Sequence, residues 1–258
     1  NAWTASNGVS LGQEKLGKKS NEIKAIPKLI KALDLEGCVI TINAIGCQHE
    51  IVETIVKNKA DFVICVKDNQ KKLHDTIKSW FRDIDFDGNK TNGHGHIPPT
   101  RYQSSYAEEC GHGRRERRYC QGYNNGVAGK ILGWNGVCSV VCHTKITTYL
   151  KEKRTVEEKR YYITSLPLDS ERIIQAIRTH WSIENNLHWQ LDVTFNEDDT
   201  RKRKNAAQNF SLICKIALSQ IKNSQRKGSF KMKRKLAGWD ENFMTGLLDS
   251  DWYGGTTF

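Results

Sequence analysis

A glutamate and two histidines with helical spacing lie in the stretch from Arg178 to Asp199, and these residue types can bind a metal ion or move a proton. Residues four apart are neighbours on a helix, so His180, Glu184 and His188 would share one helical face. Apolar residues recur on that face with the same period, which predicts that Glu184 lies on the buried side of the helix. A carboxylate placed there must be paired, hydrogen-bonded or bound to a metal. Glu184 is therefore the first candidate functional residue.

Three kinds of chemistry could use Glu184. In two-metal phosphoryl transfer on nucleic acid, carboxylates from strand ends and from a helix converge on two divalent ions. The second chemistry is the binding of a single metal ion by His180, Glu184 and His188, although this HxxxExxxH spacing lacks the geometry of the HExxH zinc motif. In the third, the two histidines only hydrogen-bond Glu184 inside a tryptophan-rich core. For this motif considered alone, the structural interpretation is favoured.

The charge of the chain indicates a polyanionic partner. The 258 residues carry a net charge of +11, and between Arg201 and Lys235 there are twelve lysines or arginines with no acidic residue. A solvated face is the usual explanation of a charge run, but the length of this acid-free run favours nucleic acid. The mean hydropathy of -0.62 predicts no membrane span. The residues expected to contact DNA are Arg114, Arg118, Arg201, Lys202, Arg203 and Lys204.

The eight cysteines form no CxxC pair. Cys138, Cys142 and His143, with Cys110, His112 and Cys120 nearby, could bind zinc, but their spacings match no common structural zinc site. Reduced thiols in the core of a cytosolic protein are the preferred interpretation.

Two apolar runs flank a helical pattern and would position the chemistry. The runs CVITINA (38–44) and ADFVICVK (60–67) are apolar throughout, which predicts a βαβ unit whose parallel strands are buried on both faces. Functional groups in such sheets lie at the carboxyl ends of the strands. Asn43 and the pair Lys67 and Asp68 occupy those ends.

The sequence pattern in the middle of the chain predicts an antiparallel β insertion. Short strands are predicted at 101–107, 117–121, 130–141 and 144–150, and another buried strand, RYYITSL, at 160–166. In GHGRRERR (111–118) a strand would place Arg114, Glu116 and Arg118 on one face. This pattern fits two interpretations equally well: the arginines contact phosphates, or they form the solvated edge of a hairpin.

These patterns divide the chain into four parts. Residues 1–81 would begin an α/β core, residues 82–159 form the β-rich insertion, and residues 160–222 complete the core with the helix of Glu184. Residues 223–258 form a basic, loosely packed tail.

Several longer motifs occur together in one known family. They are TINAIGCQHEI (41–51), DFVICVKDNQ (61–70), GHGRRERR (111–118), YYITSLP (161–167) and HWSIENNLHWQLDVTFNEDDTRKRKNAAQN (180–209). In this order they resemble bacterial insertion-sequence DDE transposases of the H-repeat-associated branch, in which the first two read TIDAMGCQ and ALKGNQ. The resemblance covers the chain to about Trp239.

The resemblance implies an α/β fold, with an RNase H-like mixed sheet that has helices on both faces and is interrupted by an antiparallel β insertion. It implies cleavage and strand transfer of double-stranded DNA at transposon ends and target sites, with Mg²⁺ or Mn²⁺ held by two aspartates and a glutamate. Glu184 matches the catalytic, metal-binding glutamate, and Asn43 stands where the second aspartate is expected. His180, His188 and Asp192 would support the site.

Three departures from the family pattern shape the functional hypothesis. Asn43 offers a neutral oxygen in place of a carboxylate, and hard cations depend on ligand charge. The first aspartate belongs to a strand expected before residue 1. The tyrosine, arginine and lysine that flank the family's glutamate are replaced by Ile177, His180 and Leu191.

We therefore expect a truncated or decayed transposase that is catalytically inactive and binds metal poorly. It would be cytoplasmic and nucleoid-associated in a bacterium, with no membrane contact, and could assemble with itself or with an intact transposase. The alternative is a non-catalytic DNA-binding remnant or an inhibitor of an intact transposase.

Overall fold

A computed structural model describes residues 1–6, 8–14, 22–82, 102–124, 133–197, 199–202 and 205–249. The chain separates into two compact units. The sheet unit comprises Leu16–His180, and the helical unit comprises Asn1–Lys15 together with Trp181–Phe258. None of the described helices is long and apolar enough to cross a membrane.

The described residues contain two sheets, a small one in the helical unit and a larger one in the sheet unit. The strands are β1 (Ala2–Thr4), β2 (Val9–Gly12), β3 (Val39–Ile42), β4 (Asp61–Val66), β5 (Tyr102–Gly111), β6 (Arg114–Tyr123), β7 (Ser139–Tyr149) and β8 (Arg154–Thr164). The hairpin β1–β2 forms the small sheet, and the larger one has the order β3-β4-β8-β7-β6-β5.

Helices occur in both units, with one π turn between two of them. The α-helices are α1 (Glu22–Lys31), α2 (His49–Lys57), α3 (Lys71–Arg82), α4 (Ser170–Ile183), α5 (Trp189–Phe195), α6 (Asn205–Asn223), α7 (Phe230–Ala237) and α8 (Glu241–Asp249). The π turn spans Glu184–His188 and joins α4 to α5.

Strand β4 is the second strand of the larger sheet and is buried on both of its faces. It pairs in parallel with β3 and antiparallel with β8. Phe62 and Ile64 pack on one face with α1, α2 and α3, whereas Val63 and Cys65 pack on the other with Ile173 and Ile177 of α4. The predicted βαβ unit and the burial of β4 on both faces are confirmed. Strand β3 is only half-buried, because it is an edge strand of the described sheet.

The four strands β5 to β8 are longer than predicted, with 10, 10, 11 and 11 residues. The separate strands predicted at 130–141 and 144–150 were wrong, because one strand, β7, runs through 142 and 143. Strand β8 begins at Arg154, not at residue 160. Its first six residues are exposed and its last four are buried, so a pattern based on burial detects only the inner half.

The helical unit has its own small core. Leu187, Leu191, Cys214 and Leu218 are buried, and Trp3 of the hairpin packs against them. Lys215 on α6 is also buried, and its Nζ donates to Asn1 Oδ1 at 2.9 Å, Gln13 Oε1 at 2.6 Å and Ser211 Oγ at 2.8 Å. These bonds tie the amino-terminal hairpin to α6.

The α/β fold with a mixed sheet and helices on both faces is confirmed, and it is consistent with the RNase H-like architecture that the resemblance implies. The β-rich insertion is also present, as an extension of the central sheet and not as a separate layer.

His143 is a buried titratable group within that extension. It lies on β7 opposite Cys120 of β6 and Arg160 of β8. Burial lowers the pKa of His143 from 6.5 to about 4, and the charges of Arg118 and Arg160 act in the same direction. Within the described part of the chain its Nε2 has no hydrogen-bond partner. The folded protein therefore holds this ring in the neutral form.

This neutral ring makes the stability of the fold depend on pH. The folded-state pKa is depressed, so the unfolded chain binds the proton first as the pH falls below 6.5. Between pH 6.5 and about 4, the free energy of unfolding should fall by about 3 kcal/mol through this group alone. Urea denaturation at several pH values, followed by circular dichroism, measures the effect.

The variant His143→Gln should lack this component and lose less stability on acidification than the unaltered protein. His188→Gln is the control, because His188 is exposed on the π turn. A His143→Gln protein whose acid destabilisation equals that of the unaltered protein would contradict the assignment.

Candidate functional site

Asn43 lies at the carboxyl end of β3, as predicted, and its side chain is exposed. It begins a 3-10 turn over Ala44–Gly46. The turn packs closely on β3, since a Cβ added to Gly46 would lie 2.3 Å from Ile42 Cγ2. A glycine is required at this close approach, and it fixes how the chain leaves the strand after Asn43.

Amide side chains tie this turn to the end of β4. Asn69 Nδ2 donates to the Ala44 carbonyl oxygen at 2.7 Å, and Gln70 Nε2 donates to the Cys47 carbonyl oxygen at 2.9 Å. Asp68, which is exposed at the same strand end, lies 3.4 Å from His74 Nδ1. The loops after the two parallel strands therefore form one connected edge of the sheet.

His180 is the last residue of α4 that belongs to the sheet unit, and its side chain reaches this edge. Its Nε2 lies 3.0 Å from Asn43 Oδ1, and its Nδ1 lies 3.1 Å from Thr41 Oγ1. With the amide oxygen as acceptor, Nε2 is the donor, and Nδ1 of a neutral ring accepts from the threonine hydroxyl. The amide oxygen of Asn43 is thus engaged by a histidine.

Two further contacts fix the orientation of α4. Ile173 and Ile177 are buried against the sheet. The next residue is Arg178, whose Nη2 lies 2.6 Å from Glu109 Oε1 on β5. These contacts hold the helix above the sheet so that His180 meets the end of β3.

Glu109 belongs to a charged cluster on the same sheet face. Arg118 Nη1 lies 3.0 Å from Glu109 Oε2, and this guanidinium is the main cause that lowers the pKa of Glu109. Arg118 also bonds Glu116, which is buried. The oxygen Oε1 of Glu116 lies 3.0 Å from Arg114 Nε and 3.2 Å from Lys145 Nζ.

The predicted arrangement of Arg114, Glu116 and Arg118 on one face is confirmed. Arg118 is only 15% exposed and is paired with two carboxylates, so its charge is used inside the protein. Arg114 is 47% exposed and can still reach an external anion.

Glu184 does not lie on a buried face, so that expectation was wrong. It begins the π turn Glu184–His188, and it is exposed, as is His188. A π turn has i to i+5 hydrogen bonds, so the residues that follow it point in different directions from those of a continuous α-helix. A prediction that assumes a regular α-helical period through this segment therefore assigns the wrong residues to the buried face. Leu187 and Leu191 take the buried positions instead. Asp192 is exposed on α5.

No group of three or more histidine, cysteine, aspartate or glutamate side chains that could hold a metal ion occurs in the described residues. Of the cysteines considered for zinc, Cys120 and Cys142 are buried, and burial raises the pKa of each thiol, to about 12 and about 11 respectively. Cys110 and Cys138 are exposed. The preference for core thiols therefore fits Cys120 and Cys142.

The start of the basic run is exposed. Arg201 and Lys202 both face solvent, and Lys202 Nζ lies 3.7 Å from the centre of the Phe210 ring. Arg203 and Lys204 lie outside the described residues, as do the last nine residues of the predicted tail.

The sequence interpretation missed three residues of this site, namely Thr41, Glu109 and Arg178. Thr41 lies in β3 and Asn43 directly follows it with an extended backbone, so the alternation of an extended chain puts both on one face, which was a usable signal. The pairing of Arg178 with Glu109 joins residues 69 positions apart, and no local pattern reveals it.

Comparison with known proteins gives a consistent picture. The profile of the family described as "Transposase DDE domain" matches residues 1–219. The protein named "Putative transposase YncI" of Escherichia coli O157:H7 is 37% identical over 255 residues, which cover 96% of this chain and 62% of that protein. The "H repeat-associated putative transposase YhhI" of Escherichia coli K12 is 34% identical, over 96% of this chain and 64% of that protein. The chain thus spans somewhat less than two thirds of the length of these relatives.

The charged cluster provides a test of the site's framework. Glu116→Ala removes a buried carboxylate and leaves Arg118 and Lys145 without their shared partner, so the free energy of unfolding should fall by about 3 kcal/mol. Urea denaturation at neutral pH measures this loss.

Glu152→Ala is the matched control, because Glu152 pairs with Arg154 at 3.5 Å and both side chains are more than 60% exposed. Its effect should stay below about 1 kcal/mol. Equal effects of the two substitutions would show that the cluster does not stabilise the insertion.

Proposed function

This chain belongs to the family of DDE transposases, and from that membership we propose that it binds the double-stranded DNA of transposon ends but has lost metal-dependent cleavage and strand transfer. The observation that carries the second half of the proposal is the identity and bonding of Asn43. The first half rests on the distribution of charge in the helical unit.

Asn43 is a poor ligand for a hard divalent cation. Its side chain has one oxygen, which is neutral and already accepts a hydrogen bond from His180 Nε2 at 3.0 Å. An aspartate would supply a full negative charge and a second oxygen, so it could keep the histidine and bind a metal ion as well. Affinity for Mg²⁺ or Mn²⁺ depends strongly on ligand charge.

The neighbours of Asn43 do not restore the missing charge. They are the Thr41 hydroxyl and the His180 ring. Asp68, at the adjacent strand end, lies beside His74. This donor set does not fit the carboxylate site that the family's Mg²⁺ or Mn²⁺ would require.

Glu184 is the residue that we assign to the family's helical carboxylate. Its exposure leaves the carboxylate open to solvent and to a ligand. His188 and Asp192, on the same helical segment, are exposed as well and remain candidates for supporting roles.

DNA binding is supported by the contacts that the lysines and arginines of the basic run make inside the protein. Among the described residues, no salt bridge involves a lysine or arginine between Arg201 and Lys235. Six of them contact aromatic rings, amides, hydroxyls or carbonyl oxygens instead. The ring contacts join Lys202 to Phe210, Lys222 to Trp3, Arg226 to Phe243 and Arg234 to Phe195.

Contacts of this kind hold a cation in place without neutralising it. The helical unit therefore keeps a positive potential, and such a surface gains affinity for DNA by releasing condensed counterions. Arg201, Lys202 and Arg114 are exposed residues that we expect to contact phosphates; Arg203 and Lys204 continue the run in sequence.

The experiment compares the full protein with its Asn43→Asp variant. Nicking and strand transfer are measured with Mn²⁺ on a duplex that carries the terminal sequence of the element. The unaltered protein should bind this duplex with strong salt dependence but show no turnover. In a chain that also carries the strand with the first aspartate, Asn43→Asp should raise the rate by about 100-fold or more, the scale of restoring one group that stabilises the transition state.

Two controls give the outcomes their meaning. Asn43→Ala lacks both the carboxylate and the bond to His180, so it should stay inactive. Adding Glu184→Gln to Asn43→Asp should return activity to background if Glu184 is the helical carboxylate. Turnover by the unaltered protein would overturn the proposed loss of catalysis, and a failure of Asn43→Asp to recover activity would overturn its attribution to Asn43.

A further inference from the structure

A shallow surface cavity beside an exposed tryptophan lies on the helical unit. Its volume is about 390 Å³, and it is open to solvent because all of its lining residues come from α7 and its immediate flanks. Trp239 at its edge is 79% exposed. The lining consists of Ser229, Lys231, Met232, Lys235, Leu236 and Trp239.

The fold fixes which face of α7 lines this cavity. Lys233 is buried on the opposite face, where its Nζ donates to the Ser224 carbonyl oxygen at 2.9 Å and lies 3.4 Å from that of Ile221. It thereby satisfies carbonyl groups at the end of α6 and interacts favourably with that end of the helix dipole. With Lys233 held inward, Lys231 and Lys235 lie together on the outward face, four residues apart.

The end of α7 also holds Trp239 in place. Gly238 N donates to the Lys235 carbonyl oxygen at 3.0 Å, and Trp239 N donates to that of Leu236 at 2.9 Å. The nearest acid along the chain, Asp240, uses its Oδ1 to accept from Phe243 N at 3.0 Å at the start of α8. These bonds fix the backbone of Trp239 just beyond α7, and its indole is exposed on the segment that follows the two lysines.

We infer that this cavity binds an unpaired nucleotide of the DNA, with the base stacked on Trp239 and the flanking phosphates near Lys231 and Lys235. An exposed indole offers a flat apolar surface to any base, and the two lysines one turn apart on α7 match the charge of the backbone. A base in a duplex has both faces covered by its neighbours, so the ligand is single-stranded. Met232 and Leu236 supply the apolar part of its lining, called here the apolar floor.

The inference rests on the proposed DNA binding and names the form of DNA that this part of the chain prefers. A peptide partner would use the apolar floor but would leave the two lysines without an anion. An anionic membrane surface would use both lysines and the indole, yet the long acid-free run and the family of the chain favour nucleic acid.

The test uses the full protein and fluorescence anisotropy with two labelled DNAs, a blunt duplex and the same duplex with a short thymidine overhang. The unaltered protein should bind the overhang duplex about tenfold more tightly. Trp239→Ala should abolish this difference and leave the affinity for the blunt duplex unchanged, whereas Trp239→Phe should retain most of it.

A double variant tests the lysines. Lys231→Gln with Lys235→Gln should make the dependence of log K on log salt shallower by about 1.4 for the overhang, as two lost contacts to a single strand predict. Trp189→Ala and Lys227→Gln are controls, because both residues are exposed but do not line the cavity. Both controls should keep the overhang preference, and circular dichroism confirms that each variant is folded.

The outcomes separate this inference from the proposed function. Absence of binding to either DNA would refute the proposed DNA binding. Binding to both with equal affinity, or an overhang preference that survives in Trp239→Ala, would refute only the nucleotide site. Loss of binding to phosphatidylserine vesicles in Trp239→Ala, with DNA binding unaltered, would assign the cavity to a membrane and also refute it.

Discussion

Burial of strand β4 on both of its faces is the constraint on which the rest of the sheet unit depends. Phe62 and Ile64 face one core, and Val63 and Cys65 face the other. A strand in that position must pair along both edges, and β3 and β8 provide the partners. This places the ends of β3 and β4 side by side. It also provides the apolar face on which Ile173 and Ile177 hold α4. The contact between His180 and Asn43 follows from these two results.

The parts of the fold that could be predicted are those in which a local sequence pattern is compatible with only one arrangement of strands and helices. An apolar run on each side of an amphipathic helix specifies a parallel βαβ unit, and the ends of its strands locate Asn43. The length of β8 could not be predicted, because its outer half is solvated and resembles a loop. The exposure of Glu184 could not be predicted either, since the π turn changes the helical phase without a marking glycine or proline. The clusters around Glu109 and Glu116 depend on strand register, which becomes visible only once the strands are paired.

The two units satisfy their cations in different ways. In the sheet unit, Arg114 pairs with Glu116 of its own strand, and both Arg118 and Arg178 pair with Glu109 of β5, so these charges are balanced locally. In the helical unit, described cations such as Arg226 and Arg234 lie over aromatic rings. A ring contributes a quadrupole and no net charge, so it orders the side chain and preserves the positive field. One chain thus contains a neutralised framework and a positively charged surface.

The exposed amide of Asn43 also changes what can approach the end of β3. An aspartate at this position would repel a DNA phosphate unless a cation lay between them. The amide exerts no such repulsion, so under the proposed DNA binding the approach of the DNA backbone to this edge would not depend on a bound ion. A substitution that weakens a metal site would then make DNA binding there less dependent on the supply of divalent cations. A catalytic step that needs metal and DNA together would become a binding step that needs DNA alone.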